Sequence, residues 1–319
     1  GFVRGTGAYG DWLRLSGPQH SEVIGTAYFA YTAQTMSAIA NALGNTDAAA
    51  KYKAMHDNIR SVFVSNFIKP DGRIIDAKGE TGQTFYALAF GLDLVPPELQ
   101  KEVAAHFAES IAKEKGHIAT GFLGTPFILF ALQEAGHPEL AYQLVLNKDY
   151  PGWLQQVIWG STTMWERWDG WRPDKGFQDA GMNSFNHYWL GCVSEWLITQ
   201  AAGIDTAGSA FQQIIIKPEI MKTGTGFDWV KSSYQSIRGT VSSAWKRDGD
   251  ALDLEVTIPA NCKAVVHVPA GSETDVTEGG KPAQGVEGVK FLRLENRRAL
   301  FEIGSGCYVF RSSESSKEK

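Results

Sequence analysis

The chain has 319 residues, 43% of them hydrophobic, and a formal net charge of −5. That length suits two domains, and that apolar share can build a core without disulfide or metal staples. The composition offers no basic stripe to nucleic acid, no apolar run of the roughly 18 residues that cross a membrane, and neither an HExxH nor a GxxxxGK[ST] motif.

Taken in chain order, the sequence opens at Gly1 without a methionine and runs into a Gly/Arg/Tyr/Trp loop, so it reads as a piece of something longer. Residues 20–203 then follow a helical period. Ile24, Tyr28, Tyr31, Met36, Ile39 and Leu43 make a first apolar stripe, which Gly44 ends because glycine accepts the left-handed conformation of a C-cap. Asn45 or Thr46 can cap a second helix, with Tyr52, Met55, Ile59, Val62 and Phe63 on its apolar face. Pro70-Asp71-Gly72 is a turn. Further helices are expected at 82–91, 97–114, 126–136, 138–147 and 184–202, the third from Thr125-Pro126 as a start signal. Helix hairpins arranged as a toroid fit this pattern, and no fixed-period repeat favours a solenoid.

Past Gly203 the period drops to two. Leu252, Leu254, Val256 and Ile258 alternate with Asp253, Glu255 and Thr257, as in a half-buried strand. Strands are also expected at 212–217, 233–245, 263–268, 289–294 and 307–311, which together predict a β-sandwich beginning near 203–212. Cys192, Cys262 and Cys307 are odd in number and far apart, and read as free thiols. The Ser/Glu/Lys tail is expected to be disordered.

Seven of the ten tryptophans fall in 153–196. Trp189 and Trp196 sit in a helical pattern and read as core. Trp165, Trp168 and Trp171 are interleaved with charge in a loop-like stretch, where an indole can meet the C–H face of a pyranose while polar neighbours take its hydroxyls. Glu166 stands between Trp165 and Arg167, which leaves two readings open: an ion pair with Arg167, or a general base that activates water. His187 reads as a packed or capping residue or as a hydroxyl-binding imidazole. Tyr9-Gly10-Asp11-Trp12 is a second aromatic–carboxylate cluster, with a turn capped by Asp11 as the plain alternative. In Thr120–Pro126 (TGFLGTP), two glycines allow close backbone approach ahead of a helix N-terminus.

YGDWL at 9–13, GQT at 82–84, TGFLGTP at 120–126, TTMWERWDGW at 162–171 and MNSFNHYWLG at 182–191 come in the order seen in bacterial α-L-rhamnosidases, glycoside hydrolase family 78. IIIKPEI at 214–220, the 233–261 stretch and GSGCYVF at 304–310 resemble the β-sandwich that follows the catalytic barrel in that family. The resemblance implies inverting hydrolysis of terminal α-L-rhamnosides, a carbohydrate as partner, and no metal or cofactor. It implies that Glu166 is the general base and that Trp12 and His187 line the rhamnose pocket, with Asp11, Trp165 and Trp168 as further candidates for it. It also implies a fold: residues 1–205 as an N-terminally incomplete (α/α)6 barrel, 206–312 as an antiparallel β-sandwich, and 313–319 as a tail. The family's general acid lies in an acidic segment upstream of YGDWL, and nothing like it precedes Tyr9, so these 319 residues alone are expected to show little hydrolysis. A helical-barrel hydrolase or lyase for another sugar, and a non-catalytic carbohydrate-binding fragment, are the competing readings.

Overall fold

The computed structural model describes residues 1–7, 9–222 and 224–313. They form two compact units that divide between Val193 and Ser194, upstream of the expected boundary at 205 and 206.

The first unit is helical. Helices α1 (Glu22–Ala42) and α2 (Thr46–Phe67) form a long hairpin. Ser21 caps α1 by accepting from Val23 N, Asn45 caps α2 by accepting from Ala48 N, and Gly44 between them takes a φ of +73°. The face that α1 buries differs from the expected stripe. Val23, Ile24, Ala27, Ala30, Ala33 and Ala40 are buried, whereas Tyr31, Met36, Ile39 and Leu43 are 36–78% exposed. Alanines weigh little in a hydropathy pattern, yet their small side chains let helix backbones approach closely.

Then come α3 (Gln83–Gly91), α4 (Gln100–Lys113), α5 (Thr125–Glu134), α6 (Pro138–Leu146) and a short α7 (Trp153–Ile158), the last of which the sequence reading missed. The continuous helix expected over 184–202 is corrected. Its start is irregular, and it continues as a 3-10 turn (Trp189–Cys192), a single turn α8 (Val193–Trp196) and a π turn (Leu197–Ala201). Residues 184–187 are drawn out of the helix because they hydrogen-bond with 163–166. A two-residue hairpin, β1 (Trp171–Arg172) with β2 (Gly176–Phe177), interrupts the loop between them.

The second unit holds two sheets around one core. One has the order β10-β9-β13-β7-β6-β5 and the other β11-β12-β8-β4-β3. Their ranges are β3 (Ile204–Thr206), β4 (Gln213–Ile216), β5 (Trp229–Ser236), β6 (Gly239–Asp248), β7 (Ala251–Ile258), β8 (Lys263–Pro269), β9 (Val276–Glu278), β10 (Lys281–Pro282), β11 (Val289–Glu295), β12 (Arg298–Ile303) and β13 (Gly306–Ser313). The wholly antiparallel sandwich expected from sequence is corrected at one pair: β4 and β8 run parallel, because the chain crosses through β5–β7 of the other sheet before returning. The single strand expected at 233–245 is a hairpin of β5 and β6, turning at Ile237-Arg238 ahead of Gly239, whose φ is +120°. Trp245, Phe301, Phe310, Leu254, Val256 and Val266 fill the core, each large side chain contributing about 1.5–3 kcal/mol by burial. Trp245 Nε1 donates to Ala201 O and Ser243 Oγ to Ala202 O, which ties the end of the π turn to the sheets and accounts for the early division. Ser312 and Ser313 belong to β13; the rest of the expected tail lies outside the described residues.

His267 on β8 has its imidazole pushed down to about 4, first by burial and then by the positive charges of Lys217 and Arg298. Its neutral form is therefore favoured in the folded state. The associated stability is present above the ordinary histidine range near 6.5 and is lost as pH falls from there through about 4. The melting temperature of this unit should fall over that window, and His267→Gln should flatten the fall. A slope unchanged by the substitution would remove His267 from the account.

Candidate active site

Three segments of the helical unit assemble around Asp11. Its carboxylate is 1% exposed and accepts four hydrogen bonds. Oδ2 takes Thr84 Oγ1 at 2.5 Å and Gly121 N at 3.0 Å, while Oδ1 takes Leu123 N at 2.8 Å and Gly124 N at 3.2 Å. Burial pushes this carboxyl above its ordinary range, and the four donors pull the other way. The side chain that the sequence marked as a pocket candidate is thus spent in joining the 9–14 loop to the start of α5. Phe122 N donates to Trp12 O at 2.9 Å in the same junction.

Gly121 is needed for this fit. A Cβ there would stand 2.2 Å from Trp12 O and 2.7 Å from both Arg14 N and Asp11 O. Gly121→Ala must push the Trp12 loop outward, at a cost of about 1–3 kcal/mol. A thermal midpoint equal to that of the wild type would contradict the close fit.

Phe122 carries the link onward. Its ring stacks on Trp189 with centroids 4.3 Å apart and meets His187 edge-on at 5.2 Å. Trp189 Nε1 donates to Glu166 O at 2.6 Å. Residues 163–166 and 184–187 lie alongside one another in opposite directions: Glu166 N donates to Ser184 O and His187 N to Met164 O. The Glu166 carboxylate accepts from Ser184 N at 2.8 Å through Oε2. Arg167 pairs with Asp169, Nε to Oδ1 at 3.0 Å, so the Glu166–Arg167 ion pair that the sequence left open is not formed. Glu166 Oε1 has no hydrogen-bond partner among the described residues. The His187 ring is half-buried and stacks on the exposed Tyr188 at 5.1 Å, with its Nδ1 buried and lacking a partner among the described residues.

The tryptophans divide. Trp12 is half-buried and meets Tyr9 edge-on at 5.9 Å. Trp165 is 4% exposed against Phe185, and Trp168 is 2% exposed between Trp153 and Trp189, so the chain itself covers both indoles. Sequence reasoning missed Phe122, and it also missed Tyr150 and Trp159, whose near-parallel rings lie beside the Arg172 guanidinium. The aromatic density of 153–196 was visible, but the partners of each ring were not. Among the described residues, no three His, Cys, Asp or Glu side chains gather as ligands for an ion.

A helical-hairpin domain with a carboxylate and an imidazole on adjoining loops, followed by a two-sheet domain, is the architecture of a class of carbohydrate-active proteins. The sequence model of the bacterial alpha-L-rhamnosidase 6 hairpin glycosidase domain matches residues 3–201, and that of the bacterial alpha-L-rhamnosidase C-terminal domain matches 203–283. The chain belongs to the bacterial α-L-rhamnosidase family. It is 37% identical over 310 residues to an alpha-L-rhamnosidase of Streptomyces avermitilis, which covers 97% of this chain and 28% of that protein. The crystal structure of the Streptomyces avermitilis alpha-L-rhamnosidase complexed with L-rhamnose superposes with a TM-score of 0.86 at 36% identity, covering 98% of this chain and 29% of that one. The alpha-L-rhamnosidase of Dictyoglumus thermophilum superposes with a TM-score of 0.82 at 29% identity, covering 96% of this chain and 34% of that one. The chain thus spans about a third or less of the length of these relatives.

Proposed function

We propose that this chain carries the general-base half of an inverting α-L-rhamnosidase site. Glu166 is the base. The observation that supports this most directly is that its carboxylate takes one neutral backbone N–H while the adjacent guanidinium is engaged by Asp169, which leaves Oε1 for a water. The Ser184 hydrogen bond orients the group without neutralising it. Trp12 offers its indole to the sugar ring, and the His187 imidazole would meet a hydroxyl through Nε2, its Nδ1 being closed off within the protein. Asp11 and Trp168 act through the loops they hold, and Trp165 is buried against Phe185 beside Glu166 in the chain.

In an inverting mechanism the second carboxyl group, an acid, stands about 6.5–9.5 Å from the base, and a water fits between base and sugar. That acid would come from a part of the complete protein upstream of Tyr9. Further helical hairpins would complete an (α/α)6 barrel and cover the exposed Tyr31, Met36 and Ile39 of α1 and Leu43 just past its end. The complete protein should release rhamnose from an aryl α-L-rhamnoside, with the β anomer as the first product seen by NMR. Release of the α anomer would overturn inversion, and a preference for glucosides or uronides over rhamnosides would overturn the substrate.

A further inference from the structure

Next to the loop that carries Tyr9, Asp11 and Trp12 lies a hollow of about 610 Å³, with Arg14, Gln19 and His20 on one wall and Lys78, Glu80 and Thr81 on the other. Its size falls in the range of small-ligand sites, about 300–1,000 Å³. Hydrogen bonds fix the backbone of both walls and the Arg14 and Gln19 side chains of one. Arg14 donates from Nε to Gly17 O at 2.8 Å and from Nη1 to Gln19 Oε1 at 3.0 Å. Gln19 donates from Nε2 to Tyr9 O at 2.7 Å, and Asp11 N donates to Gln19 O at 2.8 Å. Opposite, Asp76 Oδ1 accepts from Lys78 N and Glu80 N, both at 2.9 Å, and Ala77 N donates to Glu22 Oε1 at 2.7 Å. The loops meet where a Cβ on Gly17 would stand 3.1 Å from Gly82 Cα.

The charge in the hollow is unbalanced. Arg14 and Lys78 share it with one carboxylate, Glu80. Among the described residues, the exposed Lys78 ammonium has no ion-pair partner, and the second Nη of Arg14 has no hydrogen-bond partner. A pre-formed, polar, cationic hollow favours an anionic group borne on a hydroxyl-rich body. Its position says which body. Gln19 both lines the hollow and donates to the Tyr9 backbone, and the Tyr9 ring packs edge-on against Trp12, so the hollow adjoins the loop that carries Trp12. A terminal rhamnose has one neighbour along its chain, the leaving group.

We propose that this hollow binds an acidic leaving-group sugar, one bearing a carboxylate or a sulfate. The assignment rests on Trp12 contacting rhamnose, as proposed above. Uncharged aglycones would pass through the same site with no partner for its cations.

The test is calorimetric, on the complete protein, with sulfur-linked disaccharides that resist cleavage: rhamnose joined to a uronate, the same compound with its carboxyl reduced to the alcohol, and rhamnose joined to a sulfated neutral sugar. The uronate should bind at least about fivefold more tightly than its reduced counterpart. That advantage should shrink with added salt and fall below about twofold in Lys78→Glu, whose melting temperature should match the wild type because the residue is exposed. An equal advantage for the sulfated compound means that the hollow reads charge; its restriction to the uronate means that the planar guanidinium of Arg14 reads a planar group. Equal affinity for the acidic and reduced compounds, or an advantage that survives Lys78→Glu, overturns the proposal. Rhamnoside hydrolysis through Glu166 without any acidic advantage sinks the hollow alone. An acidic advantage that persists while Glu166→Gln stays active sinks the base assignment alone.

Discussion

Glu166→Gln in the complete protein is expected to lower kcat on an aryl α-L-rhamnoside by about 10²–10⁴-fold, the usual worth of a positioned general base. The substitution is a clean one here. The side-chain carbonyl of glutamine can still accept from Ser184 N, as Oε2 does at 2.8 Å, and the Glu166 backbone keeps its bonds to Ser184 O and Trp189 Nε1. The loop therefore stays in place, and what disappears is the negative charge and its capacity to take a proton from water. KM should change little, because Trp12 and His187 are untouched. Activity retained within tenfold would mean that Glu166 is not the base.

The second large effect is on folding. Asp11→Ala would leave Gly121 N, Leu123 N, Gly124 N and the Thr84 hydroxyl without their acceptor in a region where Asp11 is 1% exposed. Buried donors stranded in this way should destabilise the helical unit by about 3–5 kcal/mol. Asp11→Asn is a finer probe. Its amide nitrogen would replace one oxygen, and the Thr84 hydroxyl can turn to accept while Gly121 N cannot, so the loss should be smaller, about 1–3 kcal/mol. Denaturant unfolding should rank the proteins wild type, Asp11→Asn, Asp11→Ala. An Asp11→Ala variant as stable as the wild type would show that the junction does not hold the Trp12 loop.

The two experiments separate chemistry from scaffold, and so does the legibility of the sequence. Motif order carried the family resemblance, and local signals carried the start of α2 at Asn45 and the left-handed Gly44. Features set by distant partners were not legible. The buried side of α1 is an alanine face that a hydropathy period passes over in favour of Tyr31, Met36 and Ile39. The 184–202 stretch has helical periodicity, but its first residues are claimed by 163–166, a competition visible only once the chain is folded. The parallel pairing of β4 with β8 depends on where the chain returns after three intervening strands. At the site, the indoles at 165, 168 and 171 beside the carboxylate at 166 suggested sugar chemistry, and the family resemblance added 11, 12 and 187 to the pocket. Which carboxylate was saturated and which had an oxygen to spare followed from backbone donors, and spacing does not encode those. Arg167 illustrates the limit: adjacent to Glu166 in sequence, it binds Asp169 in space.

The most direct test of the account is a crystal structure of the complete protein with L-rhamnose bound. The account predicts the sugar ring against Trp12, a hydroxyl on His187 Nε2, and a single water bridging the Glu166 carboxylate to the anomeric carbon. Rhamnose bound elsewhere, or bound with that carboxylate turned away and no room for a water between them, would contradict it.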